Sequence, residues 1–413
     1  MEFIENAMKI LEKGYFCNSC LGRFHYGLLA GFTNEEKGIF LRTVIAMMID
    51  SKSIDCSKIE SSNFYGFKFK INKEFFPNKP EKCFLCNNLF EELDDYTKKA
   101  IKKLKRIEFN NFLVGSIVSD DILKMEESIW NETGIEFVES IKFDLNRELR
   151  KKISNIIRKP FNFSNPDIVI IFDFNKKEVE VKINSLYILG YYKKLKRGFP
   201  QCKWGTPGKY KTSIQEMVAK PIIKNTKGKG NAFHGFGRED VDARCLDWRP
   251  FVIEIIESKI RNFNFKEAEK KISQSKKIKV KLLKTVDRFI VRRIKSEMGD
   301  KTYRLMVKFN KPVEKEELKK LKSLIGVINQ RTPIRVAHRR ADLVRKRLVN
   351  DLKYRRINKK TIMLEVKASS GLYIKELVHG DSGRTKPSLS ELLNVEAKPK
   401  NLDVIKIERP KNL

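Results

Sequence analysis

Two cysteine pairs, Cys17-Asn-Ser-Cys20 and Cys83-Phe-Leu-Cys86, stand 62 residues apart in a chain of 413. Four thiolates make a complete tetrahedral set for a structural Zn²⁺, leaving no ligand position open for catalysis. A zinc bound there clips two distant segments together, so its binding energy becomes folding energy. A redox pair, or two unrelated buried thiol pairs, is the alternative chemistry. Cys56, Cys202 and Cys245 have no close partner in sequence and read as ordinary core thiols.

Other reactive residue types are sparse. The four histidines, at 25, 234, 338 and 379, have no metal-ligand spacing to one another. There is no phosphate-binding Gly-x-x-x-x-Gly-Lys-Ser/Thr loop and no His-Glu-x-x-His. Gly228-Lys-Gly230 lacks the third glycine and the preceding strand of a dinucleotide fold. A catalyst in this chain therefore works with carboxylates, tyrosines and cations. Three segments offer them: His234-Gly-Phe-Gly-Arg-Glu-Asp240, Lys301-Thr-Tyr303-Arg304 and Gly371-Leu-Tyr-Ile-Lys-Glu-Leu377. Taken singly, each also reads as a solvated loop, a half-buried strand residue or a surface helix.

The elements that must position these residues fall into three regions. In residues 1–105, Thr33 followed by Glu36 forms a capping box opening a helix over 34–50. In residues 106–195, apolar runs predict strands over 112–118 and 167–173, with helices over 119–131 and 139–157 between them. An alternating strand over 178–183 follows. Lys193-Lys-Leu-Lys-Arg-Gly-Phe-Pro200 reads as a basic linker. In residues 196–413, Pro221 to Gly230 reads as a Lys/Gly-rich loop. Strands are predicted over 249–256, 277–286, 302–309 and 361–368, with helices over 265–273 and 287–297. Strands and helices without strict alternation indicate an α+β fold.

Lys and Arg total 86 against 52 acids, a formal charge of +34, which calls for a polyanionic partner. An AT-rich genome inflates Lys, yet it does not explain the local arginines. Residues 331–360 hold twelve Lys or Arg and only Asp342 and Asp351 as acids. No signal peptide or apolar run of membrane-spanning length is visible, so a cytoplasmic protein with no membrane partner is expected; a monomer is expected as well.

The order Arg238-Glu-Asp240, Lys301-Thr-Tyr303, Gly371-Leu-Tyr-Ile-Lys-Glu-Leu377 resembles the three motifs of pseudouridine synthases. Longer blocks are similar to the THUMP-containing branch that modifies uridines 54 and 55 in the T-loop of archaeal tRNA. They are Cys17-Asn-Ser-Cys-Leu-Gly-Arg23, Lys194-Leu-Lys-Arg-Gly-Phe-Pro-Gln201, Phe233 to Arg244, Arg249-Pro-Phe-Val-Ile-Glu254, Arg331 to Asp342 and Gly380 to Pro387. Two departures are Phe236, where the family usually has a small residue, and the short segment Cys202–Gly208, where it often holds extra cysteines.

The resemblance implies a catalytic domain over 196–413 with a mixed, largely antiparallel sheet and a central cleft. It also implies a zinc-binding region (1–105) and a THUMP-like RNA-binding region (106–195). It assigns Asp240 as nucleophile, Lys375 as its compensating cation, and Tyr303 and Tyr373 as contacts to a flipped uracil. Arg238 fills the vacated space or holds a phosphate. Arg335, His338, Arg339 and Arg340 are candidate RNA-backbone contacts. The partner is tRNA, met at the T-loop and the acceptor end, and no cofactor is needed for catalysis. A THUMP-type RNA methyltransferase or thiolase, and a non-catalytic tRNA-binding or chaperone protein, are the competing functions.

Overall fold

The computed structural model describes residues 2–134, 136–203 and 209–410. Two compact units divide between Asn184 and Ser185.

In the first unit, helices α1 (Glu2–Glu12), α2 (Asn18–Arg23), α3 (Asn34–Asp50) and α4 (Leu93–Leu104) precede strand β1 (Phe112–Ile117). Helices α5 (Asp120–Thr133) and α6 (Ile141–Ile157) lead to β2 (Ile168–Asp173) and β3 (Glu178–Ile183). The capping box at Thr33 and Glu36 is present, and both side chains satisfy otherwise orphaned backbone donors at the start of α3. β1 pairs parallel with β2, and β2 antiparallel with β3. The parallel pair needs a long crossover, which α5 and α6 supply. α2 and α3 cross at a pair of glycines: a Cβ on Gly22 would lie 1.7 Å from the Asn34 carbonyl oxygen, and one on Gly38 2.0 Å from that of Asn18. No larger residue fits either position without parting the helices, which fixes where Cys20 stands.

The second unit begins with β4 (Leu186–Lys194), so the basic stretch from Lys193 is not the expected linker at its start. Lys193 and Lys194 belong to a strand paired on both edges. Next come α7 (Ile214–Thr226), β5 (Gly230–Gly235), β6 (Arg244–Ile256), α8 (Phe265–Ser273), β7 (Ile278–Val286), α9 (Arg288–Ser296) and β8 (Lys301–Phe309). The chain then forms α10 (Lys315–Leu318), β9 (Gly326–Arg331), α11 (Ile334–Ala337), β10 (Val344–Asn358), β11 (Thr361–Ala368) and α12 (Ile374–His379). It closes with β12 (Thr385–Lys386), α13 (Leu389–Leu393) and β13 (Ala397–Ile407).

The expected loop over 221–230 is helical as far as Thr226. Ser213 caps α7, and Ile214, Val218, Ala219 and Ile222 bury one face, which outweighs the hydrogen bond that Pro221 cannot donate. Of the segment Cys202–Gly208, residues 204–208 lie outside the described residues.

The sheet order is β12-β9-β10-β11-β8-β13-β6-β4-β7, with β5 also on β6. Every pairing is antiparallel except β13 with β6. This is the α+β architecture with a mixed, largely antiparallel sheet. β6 exchanges partners along its length: Phe251–Ile256 pair with β5, while Arg244 and Cys245 pair with β13. Asp403 of β13, buried, accepts from Arg244 at 2.9 and 2.6 Å and also pairs with Arg197, holding the short parallel contact. The loop from β5 to β6 emerges where these partners exchange, and it carries Asp240.

Candidate active site and cysteine cluster

A cleft of about 240 Å³ in the second unit is lined by residues of all three chemical segments, including Arg238, Asp240, Tyr303, Tyr373 and Lys375. Its central loop is anchored from beneath. Glu239 is buried and meets the equally buried Arg249 at 3.1 Å, while the Tyr192 hydroxyl donates to Glu239 at 2.9 Å. Gln201 Nε2 donates to the Gly237 carbonyl at 2.9 Å, and Arg249 to that of Phe236 at 2.8 Å. The buried Lys194 ammonium donates to the carbonyls of Asp240 and Val241 at 3.1 and 2.9 Å. Gly237 sits at φ +68, in the left-handed region that glycine enters without a Cβ penalty. The Lys194–Gln201 block thus serves as the loop's foundation.

Phe236 points away from the cleft. It is buried among Leu189, Cys245, Val252, Ile294, Val404 and Ile407. A large residue there fills the core and leaves the pocket wall to Gly237 and Arg238.

Asp240 is about one-third exposed and faces two cations. Lys375 Nζ lies 3.3 Å from its Oδ2, and Arg335 reaches the two oxygens at 3.4 and 3.3 Å. Both cations bond more closely to other acids. Lys375 donates to both oxygens of Asp242 at 2.7 Å, and Arg335 Nε to the buried Glu376 at 2.6 Å. Burial works against charge on Arg335, yet Glu376 and Asp240 more than offset it, so the guanidinium is held above its usual range. Burial likewise pushes the Asp242 carboxyl up, but its bond to Lys375 leaves it below the usual carboxylate range. Asp240 is therefore electrostatically supported without being locked in a short bond, and it is neither isolated nor fully buried.

Tyr303 stands on β8 in the cleft wall, two residues from Lys301. Burial pushes its phenol up to about 12, so it stays protonated near neutral pH. Lys301 donates to the Gly299 carbonyl at 3.1 Å and Ser370 Oγ at 3.2 Å. Burial, reinforced by nearby Arg249, lowers its ammonium to about 8.

Across the cleft, Tyr373 accepts from Arg340 Nη1 at 2.7 Å, and the Arg335 guanidinium lies 5.5 Å from its ring centroid. Buried Gln330 fixes the Tyr373 backbone, accepting from its N–H at 2.8 Å and donating to its carbonyl at 3.1 Å.

Arg238 is exposed at the cleft lip. Arg335, a candidate RNA-backbone contact, reaches Asp240 from the cleft wall. Arg339 and Arg340 line the cleft, whereas exposed His338 lies outside its lining. The turn carrying Arg335 is held by Asp381, which accepts from the Ile334 N–H at 3.0 Å. It is held further by Asp342, shared between Arg331 at 2.8 Å and Arg384.

Sequence reasoning missed Asp242, Glu376, Gln330 and the inward role of Arg335. Only their position inside or beside the matching blocks hinted at them. Glu376→Ala is expected to cost about 1–3 kcal/mol of stability. This is less than a fully buried pair because Arg335 is 40 % exposed. An unchanged urea midpoint would contradict the contact.

In the first unit, the sulfur atoms of Cys17, Cys20, Cys83 and Cys86 all lie within 4.8 Å of one another. Cys17 and Cys86 sulfurs are 3.7 Å apart. A tetrahedron with metal–sulfur bonds of about 2.3 Å has edges of roughly 3.8 Å, so the cluster fits one metal ion. The Cys17 N–H donates to the Cys83 sulfur at 3.3 Å, a contact that favours thiolate. Among the described residues this is the one such cluster of His, Cys, Asp and Glu.

The family model described as "Pus10, C-terminal" matches residues 187–408, and "Pus10 THUMP domain, archaeal" matches 96–173. The chain is 39 % identical to the tRNA pseudouridine synthase Pus10 of Pyrococcus furiosus, over 98 % of this chain and 97 % of that protein. It is 36 % identical to the protein of the same name from Methanothrix thermoacetophila, over 98 % and 94 %. Near-complete coverage by such relatives, together with the family model spanning all but the ends of the second unit, establishes that this chain belongs to the Pus10 family of tRNA pseudouridine synthases.

Proposed function

We propose that this chain converts uridine 54, uridine 55 or both in the T-loop of tRNA to pseudouridine, with Asp240 as nucleophile. The observation that carries the reading is a carboxylate held between Lys375 and Arg335 in one cleft with Tyr303 and Tyr373. In the isomerisation the N1–C1′ bond breaks and a C5–C1′ bond forms. The C5 proton is lost and N1 regains one, so no oxidant, reductant or cofactor enters the balance. Lys375 and Arg335 stand beside the carboxylate that would attack. From that carboxylate, addition to C1′, addition to the base and proton abstraction from the sugar are all open routes.

The uridine must leave its stack to enter the cleft. Tyr303 then stacks on the base, Tyr373 meets it from the other side, and Arg238 occupies the lip behind it. Arg339 and Arg340, with His338 outside the cleft, contact the RNA backbone. The first unit grips the tRNA toward its acceptor end, and the four cysteines hold a structural zinc. The protein acts as a cytoplasmic monomer. No helix among the described residues is long and apolar enough to cross a membrane.

The test is incubation with unmodified tRNA, followed by carbodiimide labelling and primer extension. Stops at positions 54 or 55, dependent on Asp240, are expected. Absence of label at both positions would refute the assignment of sites.

A further inference from the structure

A strip on the sheet of the second unit, away from the lining of the Asp240 cleft, combines aromatic rings with uncompensated charge. Trp248 of β6 has the Lys193 ammonium 5.0 Å and the Lys281 ammonium 4.7 Å from its ring centroid. Lys193 stands on β4 and Lys281 on edge strand β7, so three adjacent strands converge on one indole. Tyr191 is the cross-strand partner of Lys281, and its ring lies 5.7 Å from the Arg409 guanidinium.

The charge here is not balanced internally. Lys193 lies directly opposite Lys279 in the β4–β7 register. Like charges in that relation are destabilising. Among the described residues, no carboxylate pairs with Lys193, Lys279 or Lys281. The nearby Asp247 is committed to Arg409 at 3.0 Å and to the backbone N–H groups of Trp248 and Ile407 at 2.8 and 2.9 Å.

We propose that this strip is a second RNA contact, gripping the phosphodiester backbone of the substrate beyond the uridine held in the cleft. The proposal rests on the tRNA-modifying reading and extends it to a defined surface. A run of phosphates relieves the Lys193–Lys279 repulsion. Trp248 supplies a platform that keeps two ammonium groups in place before RNA arrives, through cation–π attraction. Contacts of this kind position RNA without reading its sequence.

The experiment measures equilibrium binding of unmodified tRNA across a sodium chloride series. It compares the wild-type protein, Lys193→Gln/Lys281→Gln, and the control Lys320→Gln/Lys322→Gln, which removes the same charge from another exposed site. Each contacted phosphate contributes about 0.7 to 0.9 to the slope of log affinity against log salt. The strip variant is therefore expected to lose roughly tenfold in affinity and between about one and two in slope, with the control near wild type. A strip variant with the wild-type slope, or a control that falls equally far, would overturn the proposal. Failure of the wild type to make pseudouridine would instead refute the assigned activity, because the binding slopes are read without turnover.

Discussion

Replacing Asp240 with Asn is expected to slow conversion of unmodified tRNA by about a thousandfold or more while leaving tRNA affinity near wild type. The substitution keeps the shape of the side chain and removes the charge on which attack depends. Lys375 and Arg335 would not be stranded, because Asp242 and Glu376 already hold them at 2.7 and 2.6 Å. The loop should also keep its place, since Glu239–Arg249 and Lys194 anchor it through groups that the change does not touch. Binding should survive because a neutral residue in a basic cleft repels phosphate less than a carboxylate does. Single-turnover release of label from C5-tritiated uridine would separate these quantities. A variant releasing label within tenfold of wild type would rule out Asp240 as nucleophile.

The second large effect is expected at the cysteine cluster. Purified protein should contain about one zinc per chain, and Cys86→Ser should lose it together with the stability of the first unit. A metal joining Cys17 and Cys20 to Cys83 and Cys86 closes a loop spanning most of the first hundred residues. As a cross-link alone, such closure is worth about 4 kcal/mol. Structural zinc sites in small peptides contribute more, on the order of 10 kcal/mol. Cys86 is fully buried, so a serine there also leaves a polar group beside three unbalanced thiols. Elemental analysis with thermal unfolding, before and after a strong chelator, gives the readout. A metal-free protein with unchanged unfolding would remove zinc from the account.

Much of the local structure was legible from residue patterns. The Thr33 capping box, the helix Phe265–Ser273 and the strand Thr361–Ala368 stand where periodicity placed them, because each carries its own start signal or apolar repeat. β13 was not legible. Pro399 and the irregular register after Lys400 break its alternation, and it becomes a strand by docking between β8 and β6. β10 hid for the opposite reason: its cations mask a strand whose pairing depends on β9 and β11.

The same limit applied within the site. Asp240, Tyr303 and Lys375 could be singled out because they sit in ordered motifs. The contacts of Arg335 with Asp240 and Glu376 were not legible, since a cation in a basic run declares its charge but not its direction. That direction is set by Glu376, which is 41 residues away in sequence.

The place of β13 has a consequence for the order of events during synthesis. Tyr303 is carried by β8, and Asp240 lies just before β6, yet along the sheet these two strands meet only through β13. A ribosome that has made every motif through Leu377 has still not made the strand that joins them. Within the sheet, the strands behind the two walls of the cleft are joined only once residues 397–407 have been made and paired between them.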